Sequence, residues 1–173
     1  MDYTAEYWVK HLKMEEHPEG GYFAETYRSD GKIGHSALPE HFGSDRHYCT
    51  AIYFLLRSGQ VSKLHKLNSD EMWHFYEGCP LKLITINNDG VLAEFTLGRN
   101  SMNGEVFQVL VPAGSWFGAC PLELNSYTLV GCTVAPGFEY SDFRIGSRKD
   151  LISEYPQHRE IITKFTDYDV ISI

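Results

Sequence analysis

The sequence predicts an all-β fold, a sandwich or barrel with a short helix at either end. Between about residues 21 and 146, segments rich in β-branched and aromatic residues follow one another at short intervals. Glycine and proline separate these segments, a pattern typical of antiparallel sandwiches and barrels. Helical patterns occur only near the two ends, and no repeat, low-complexity tract or linker divides the chain. We therefore expect one domain over residues 1–173.

The two helical segments each begin at a recognisable cap. Thr4 precedes a short amphipathic run and can accept a hydrogen bond from its first turn. Near the other end, Ser147 is followed three residues later by Asp150, a pattern similar to a capping box. Pro156 interrupts this second helix. The helix can restart there, because proline suits a first-turn position.

The first predicted strand is GGYFAETYRS, which follows a glycine turn. Alternation places Phe23, Glu25 and Tyr27 on one face of this strand. Arg28 then falls on the opposite face. Residues 30–46, which follow, form the one long polar stretch of the chain, and we interpret them as a surface loop or lid.

The remaining strands can be followed in order along the chain. HYCTAIYFLLR is rich in β-forming residues. LKLITI and VLAEFTL flank the Asp89–Gly90 pair, which is a strong hairpin signal. EVFQVLVP alternates and ends at Pro112, where a ladder donor is lost. SYTLVGCTVAP and FEYSDFRIG complete the predicted sheets.

The composition excludes several classes of partner. Hydrophobic residues make up 43% of the chain and aromatic residues 14%, which is typical of a folded globular protein. The formal net charge is −8, and no basic stripe offsets it. We therefore expect neither a nucleic acid nor an anionic membrane surface as a partner.

The ends and the cysteines indicate where the protein resides. No apolar run reaches the roughly 18 residues that a membrane-spanning helix needs, and the amino terminus lacks a secretory leader pattern. We therefore expect a cytoplasmic protein. Cys49, Cys79, Cys120 and Cys132 form no Cys-x-x-Cys pair, which predicts reduced and mostly buried thiols.

The stretch GQVSKLHKLNSDEMWHFYEG places His65 and Glu71 among large aromatic residues. Five residues separate Gly59 from His65, and six separate Glu71 from Gly78. This spacing resembles the first motif of the cupin superfamily. That motif has a second histidine two residues after the first, and Leu67 stands at its position here.

A second stretch, GEVFQVLVPAGSWFG, resembles the second cupin motif. Gly104, Pro112 and Gly114 match its pattern, with seven residues in the first gap. Phe117 stands where that motif has its last metal-binding histidine.

Four blocks of the chain point to one branch of that superfamily. HPEGGYFAETYRS, SDEMWHFYEG, VPAGSWFGA and VAPGFEYSDF look like those of an uncharacterised cupin family, a domain of unknown function related to jelly rolls of the sugar-nucleotide-epimerase type. The resemblance spans roughly residues 4 to 165. It implies a double-stranded β-helix, the jelly-roll cupin barrel, with short flanking helices at both ends. It also implies a pocket inside the barrel, where cupins hold a metal with three imidazoles and one carboxylate.

The metal shell that this resemblance implies is incomplete here. Leu67 and Phe117 cannot coordinate a metal ion. His65 and Glu71 remain as metal ligands, and two protein ligands would hold a divalent transition metal only weakly. We therefore expect no firmly bound cofactor, with a weakly bound divalent transition metal as the alternative.

Without a metal, His65 and Glu71 can serve acid–base chemistry. A neutral imidazole can act as a general base near neutral pH, with Glu71 as the orienting carboxylate. The expected ligand-binding residues around this pair are Trp73, Phe75, Trp116, Phe117 and either Glu139 or Tyr140. The other interpretation is that the aromatic side chains fill the barrel and that His65 is a hydrogen-bonded core residue.

The cluster HPEGGYFAETYR offers further polar groups for the mouth of the barrel, namely Glu19, Glu25, Tyr27 and Arg28. The alternative is an edge strand with solvated charges and a dimer partner. This edge strand, together with the apolar carboxy-terminal VISI, favours a homodimer.

Three functions remain open from the sequence. The first is an isomerase-like or epimerase-like enzyme that acts on a sugar-like or other small polar ligand. The second is a sensor or carrier that holds a small-molecule ligand without changing it. The third is a metal-dependent cupin enzyme with an incomplete ligand shell.

Overall fold

The computed structural model describes residues 3–167, and two antiparallel sheets dominate this part of the chain. The first helix and the first strands are α1 (Ala5–His11), β1 (Glu15–Glu16), β2 (Tyr22–Arg28), β3 (Lys32–Ile33), β4 (Arg46–His47), β5 (Thr50–Arg57), β6 (Ser62–Lys66) and β7 (Asp70–Gly78). The later elements are β8 (Leu81–Ile86), β9 (Leu92–Leu97), β10 (Gln108–Val111), β11 (Trp116–Pro121), β12 (Tyr127–Ala135), β13 (Arg144–Ile145), α2 (Arg148–Glu154) and α3 (Arg159–Lys164).

The sheets have six and five strands. Their orders are β1-β2-β5-β12-β7-β10 and β13-β6-β11-β8-β9, while β3 and β4 form a separate small ribbon. The main core lies between the two large sheets, because its buried residues come from both. Phe54, Trp73 and Val130 belong to the first sheet, and Leu83 and Phe117 belong to the second. The predicted all-β jelly roll with short end helices is confirmed.

The end helices begin where the sequence predicts. The Thr4 hydroxyl oxygen accepts a hydrogen bond from the Tyr7 amide at 3.2 Å. The Ser147 hydroxyl oxygen accepts one from the Asp150 amide, also at 3.2 Å. Pro156 opens a short 3₁₀ turn that leads into α3. Both carboxy-terminal helices cover the outer face of the five-stranded sheet with buried apolar side chains.

The hairpin predicted at Asp89–Gly90 joins β8 to β9 in an antiparallel pair. Alternation along β7 also follows the prediction: Glu71, Trp73 and Phe75 are buried. His74 lies on the other face of the sheet, where its Nε2 contacts the Thr133 hydroxyl at 3.1 Å.

The predicted face of Arg28 is wrong, because β2 contains a bulge. Glu25 pairs with Ile52 and Tyr27 with Ala51, which leaves Thr26 as an extra residue. One extra residue exchanges the two faces of a strand beyond it. Arg28 therefore joins Phe23 and Glu25 on the inner face, whereas Tyr27 is exposed.

The prediction of a strand over FEYSDFRIG is also wrong for the first half of this segment. Tyr140–Asp142 form a 3₁₀ turn, and only Arg144–Ile145 pair with β6. Asp142 is turned inward and bonds both sides of the Arg46 guanidinium, with Nε and Nη2 each 2.6 Å from a carboxylate oxygen. Residues 30–46 thus end in a fully buried arginine, and this ion pair ties that loop to the segment before β13.

The sequence predictions about a membrane span, the cysteines and the carboxy terminus can be compared with the structure. Among residues 3–167, no helix is long and apolar enough to cross a membrane. The four cysteines are free thiols, and Cys79, Cys120 and Cys132 are buried. The VISI segment used for the homodimer prediction lies outside the described residues.

Candidate functional site

A cavity of about 80 Å³ opens inside the barrel, between the inner faces of β2, β5, β6, β7 and β12. The turn HPEGG brings His17 and Glu19 into it. Gly20 and Gly21 both have positive φ, and a Cβ on Gly20 would lie 2.3 Å from the Val61 carbonyl oxygen. Glycine is therefore required for this turn to pack against the neighbouring strand.

Glu19 forms the centre of a buried polar network. Its Oε1 accepts a hydrogen bond from the Ser62 hydroxyl at 2.7 Å. Its Oε2 lies 3.1 Å from Nε2 of His65 and 3.4 Å from Nδ1 of His17. Glu19, Ser62 and His65 are each at least 95% buried. The network thus joins the amino-terminal turn to β6.

The hydrogen bonds indicate that this network is neutral. Nδ1 of His65 lies 2.7 Å from the Lys63 carbonyl oxygen, which can only accept, so Nδ1 carries the proton. Burial lowers the pKa of His65 to about 3. Burial also raises the pKa of Glu19 well above its ordinary value, and the nearby Glu71 raises it further. The Glu19 carboxyl group therefore keeps its proton and donates a hydrogen bond to Nε2 of His65.

Two substitutions test this protonation state. Glu19→Gln should stay within about 1 kcal/mol of the wild type, because an amide can donate to His65 and accept from Ser62 as a carboxylic acid does. Glu19→Ala should lose about 2 kcal/mol or more, since it leaves Nε2 of His65 buried without a donor. Urea denaturation at pH 6 gives both values. Equal losses in the two variants would show that Glu19 is ionised in the native protein.

Glu71 and Trp73 lie on the inner face of β7 and line the same cavity. Oε2 of Glu71 and Nε1 of Trp73 are buried and have no hydrogen-bond partner. Burial raises the pKa of Glu71 to about 7; the Trp73 indole and the Cys132 thiol oppose this rise, although neither meets hydrogen-bond geometry with Oε2. Unpaired buried polar atoms are unusual in native proteins and point to a bound group.

Arg28 stands at the mouth of the cavity between two carboxylates. Its Nε and Nη2 donate to the two oxygens of Glu25, at 3.1 and 2.7 Å. Its Nη1 donates to Glu139 at 3.0 Å and to the Phe138 carbonyl at 3.2 Å. These bonds join β2 to the segment that follows β12. That segment also contributes Phe138, Tyr140 and Phe143 to the cavity wall.

The structure places the predicted aromatic walls in different surroundings. Trp73 lines the cavity. Phe117 pairs with His65 across β11 and β6, and the two ring centroids are 4.0 Å apart. Phe75 lies further along β7 within the packed core, away from the cavity lining. Trp116 faces outward because its neighbour Phe117 faces inward, and the Lys66 ammonium lies over its ring.

The remaining predicted residues are divided between two places. His65 and Glu71 both line the cavity, but the hydrogen-bond partners of His65 are Lys63 and Glu19 rather than Glu71. Glu139 lies at the mouth, where it pairs with Arg28. The sequence did not predict that the Glu19 carboxyl group contacts His65. The paired glycines of HPEGG were the available signal, because such a turn can carry its preceding residues into the barrel.

The residues at this site do not fit the metal centre that the resemblance to cupins implies. Leu67 lines the cavity where a second imidazole is expected, and the Phe117 ring packs on His65 where a third is expected. Both ring nitrogens of His65 are already hydrogen bonded. Within residues 3–167, no group of three His, Cys, Asp or Glu side chains is placed so that it could hold a metal ion.

Comparisons with known proteins agree with this fold. An uncharacterized protein of Saccharomyces cerevisiae is 32% identical over 144 residues, which cover 78% of this chain and 71% of that protein. A solved protein structure from Shewanella oneidensis is similar with 37% identity and a TM-score of 0.87, over 96% of this chain and 99% of that one. Oxalate decarboxylase of Bacillus subtilis shares only the fold, with 14% identity, a TM-score of 0.55, and coverage of 89% of this chain and 37% of that chain. Residues 6–146 match the family described as Cupin superfamily (DUF985), and the chain therefore belongs to that family.

Proposed function

We propose that the protein binds a small polar molecule in the barrel cavity and catalyses proton transfer on it, as an isomerase or epimerase does. The observation that carries this proposal is the pair of buried, unpartnered polar atoms, Oε2 of Glu71 and Nε1 of Trp73. One is an acceptor or a proton carrier, and the other is a donor. A ligand with a carbonyl oxygen and an acidic C–H bond would satisfy both atoms.

In this reaction, the Glu71 carboxylate removes a proton from the carbon next to the ligand carbonyl. The electron pair of the broken C–H bond forms a carbon–carbon double bond, and the π pair of the carbonyl group moves onto its oxygen, which accepts a hydrogen bond from the Trp73 indole N–H. Glu71 then returns the proton. Return to the same carbon restores the ligand and appears only as hydrogen exchange. Isomerisation requires a hydroxyl group on that carbon, whose proton passes to the former carbonyl oxygen while Glu71 protonates the former carbonyl carbon. A pKa of about 7 suits this role, because the group can accept and release a proton at neutral pH.

The proposal gives Glu71 the role that the sequence suggested for His65. Both nitrogens of His65 are engaged, one with the Lys63 carbonyl and one with Glu19. His65 therefore has no free nitrogen to offer a ligand. It acts as a positioning residue, since its ring is held between Phe117 and Phe143 beside the cavity.

Deuterium exchange tests the proposal with hydroxyacetone, a small neutral ketone with acidic C–H bonds. Wild-type protein in D₂O should exchange these hydrogens faster than buffer alone, and Glu71→Gln should lower the catalysed rate by about 100-fold or more. Glu77→Gln is the matched control, because Glu77 lies on the same strand and pairs with Arg99 at the surface. NMR gives the exchange rate.

The same experiment separates an enzyme from a carrier. Exchange at the buffer rate, with hydroxyacetone still shifting the Trp73 indole N–H resonance, would favour a protein that holds its ligand unchanged. Neither exchange nor a shift would contradict the proposal as a whole.

A further inference from the structure

We infer that the cavity selects small organic cations, ammonium compounds with N–H groups, and excludes anions. This inference rests on the proposed function and names the ligand class of the same site. It follows from the charges that line the cavity and from the hydrogen bonds that they already make.

Arg28 is the one permanently charged cation among the described residues that line the cavity. A guanidinium has five N–H donors. Glu25 accepts two of them, and Glu139 and the Phe138 carbonyl accept two more. Two carboxylates thus surround one guanidinium, so the mouth of the cavity carries a net negative charge. Arg28 also has no pair of free N–H groups that could bind both oxygens of a ligand carboxylate.

The two histidines in the cavity do not supply positive charge. Nδ1 of His17 accepts a hydrogen bond from the Glu19 amide at 3.4 Å, and Nε2 of His65 accepts a hydrogen bond from the Glu19 carboxyl group. Each ring therefore keeps one nitrogen unprotonated. The Lys63 ammonium, whose charge acts on Glu19, pairs with Asp167 at 2.7 Å.

Deeper in the cavity, the free acceptor is Oε2 of Glu71, which belongs to a side chain that is 94% buried. A ligand ammonium can donate to it and form a charge-assisted hydrogen bond. A ligand carboxylate would place a second negative group beside it in a poorly solvated space. Aromatic rings also line the cavity, among them Phe23, Phe54 and Phe143, and such rings attract cations when they present their faces.

Three ketones of similar size test the inference: aminoacetone, which is a cation, hydroxyacetone, which is neutral, and pyruvate, which is an anion. The readout is titration of the ¹⁵N-labelled Trp73 indole resonance, identified with Trp73→Phe among the three tryptophans of the chain. We expect the Kd of aminoacetone to be about tenfold lower than that of hydroxyacetone, with no binding of pyruvate. Binding of pyruvate as tight as that of aminoacetone would overturn the inference and leave the proposed function standing.

Two variants show which side chains set this preference. Glu71→Gln should raise the Kd of aminoacetone about tenfold while the Kd of hydroxyacetone stays nearly unchanged. The double variant Glu25→Gln with Glu139→Gln should gain pyruvate binding, because Arg28 is then free to pair with a ligand carboxylate. An unchanged preference in both variants would overturn the inference. Failure of all three ketones to shift the resonance would overturn the proposed function as well.

Discussion

Asp142→Ala is expected to lower the free energy of unfolding by about 3 kcal/mol, because it leaves a buried guanidinium without its counter-charge. Arg46 is fully buried and Asp142 nearly so. Arg46 would keep the Ser44 and Asp45 carbonyl oxygens, at 2.8 and 2.9 Å. Those acceptors place the expected loss at the lower end of the range for a broken buried pair. Urea denaturation at pH 7 measures it.

The matched control is Glu94→Ala, which removes an ion pair of similar length at the surface. Glu94 and Lys82 are 2.7 Å apart but both side chains are solvated, so this change should cost less than about 1 kcal/mol. Equal losses of unfolding free energy in Asp142→Ala and Glu94→Ala would contradict the expectation that the buried ion pair contributes more than the exposed one. Asp142→Asn should fall between them, since the amide keeps one acceptor for Arg46.

Asp142→Ala should also weaken ligand binding. Asp142 anchors the segment that carries Phe138, Tyr140 and Phe143 into the cavity wall. Loss of this anchor frees the segment from residues 30–46 without touching Glu71. The Kd of aminoacetone should therefore rise in the variant at a temperature where it remains folded.

Glu71→Gln is expected to change the pH dependence of stability. Glu71 has a pKa of about 7 in the folded protein against an ordinary value of 4.5. Between these values the native state binds more protons than the unfolded state, so the wild type loses stability as the pH rises through this window. At 1.36 kcal/mol for each pH unit, the loss amounts to about 3 kcal/mol by pH 7. Glutamine does not titrate and escapes this loss.

The measurement is the difference in unfolding free energy between Glu71→Gln and the wild type. From pH 4.5 to 7, Glu71→Gln should become more stable relative to the wild type by about 3 kcal/mol, and the difference should stay constant above pH 7. Glu77→Gln, on the same strand, is the matched control. Parallel pH curves for Glu71→Gln and the wild type would contradict the raised pKa.

The elements that sequence reasoning predicted well depend on local signals. Thr4 and Ser147 cap helices through hydrogen bonds to residues three positions away. The Asp89–Gly90 turn joins two neighbouring strands. Alternation along β7 placed Glu71 and Trp73 on the inner face without knowledge of any other strand.

The errors and omissions arise where distant segments meet or where the alternation breaks. A single extra residue at Thr26 turned Arg28 toward the cavity, and periodicity does not reveal such a bulge. Asp142 and Arg46 are 96 positions apart in the chain, so neither one indicates its partner. Where they pair, a segment predicted as a strand forms a 3₁₀ turn.

By itself, the sequence determined the jelly-roll class, the positions of His65 and Glu71 on inner faces, and the loss of two metal ligands at Leu67 and Phe117. The jelly-roll class and the two lost ligands follow from the resemblance of the sequence motifs to those of cupins, whereas the inward face of Glu71 follows from the two-residue period along its strand. Only the tertiary structure decided that Glu19 engages His65 and that Glu71 keeps a free oxygen. Protonation and pairing depend on burial and on contacts between distant strands, and these exist only once the barrel has closed.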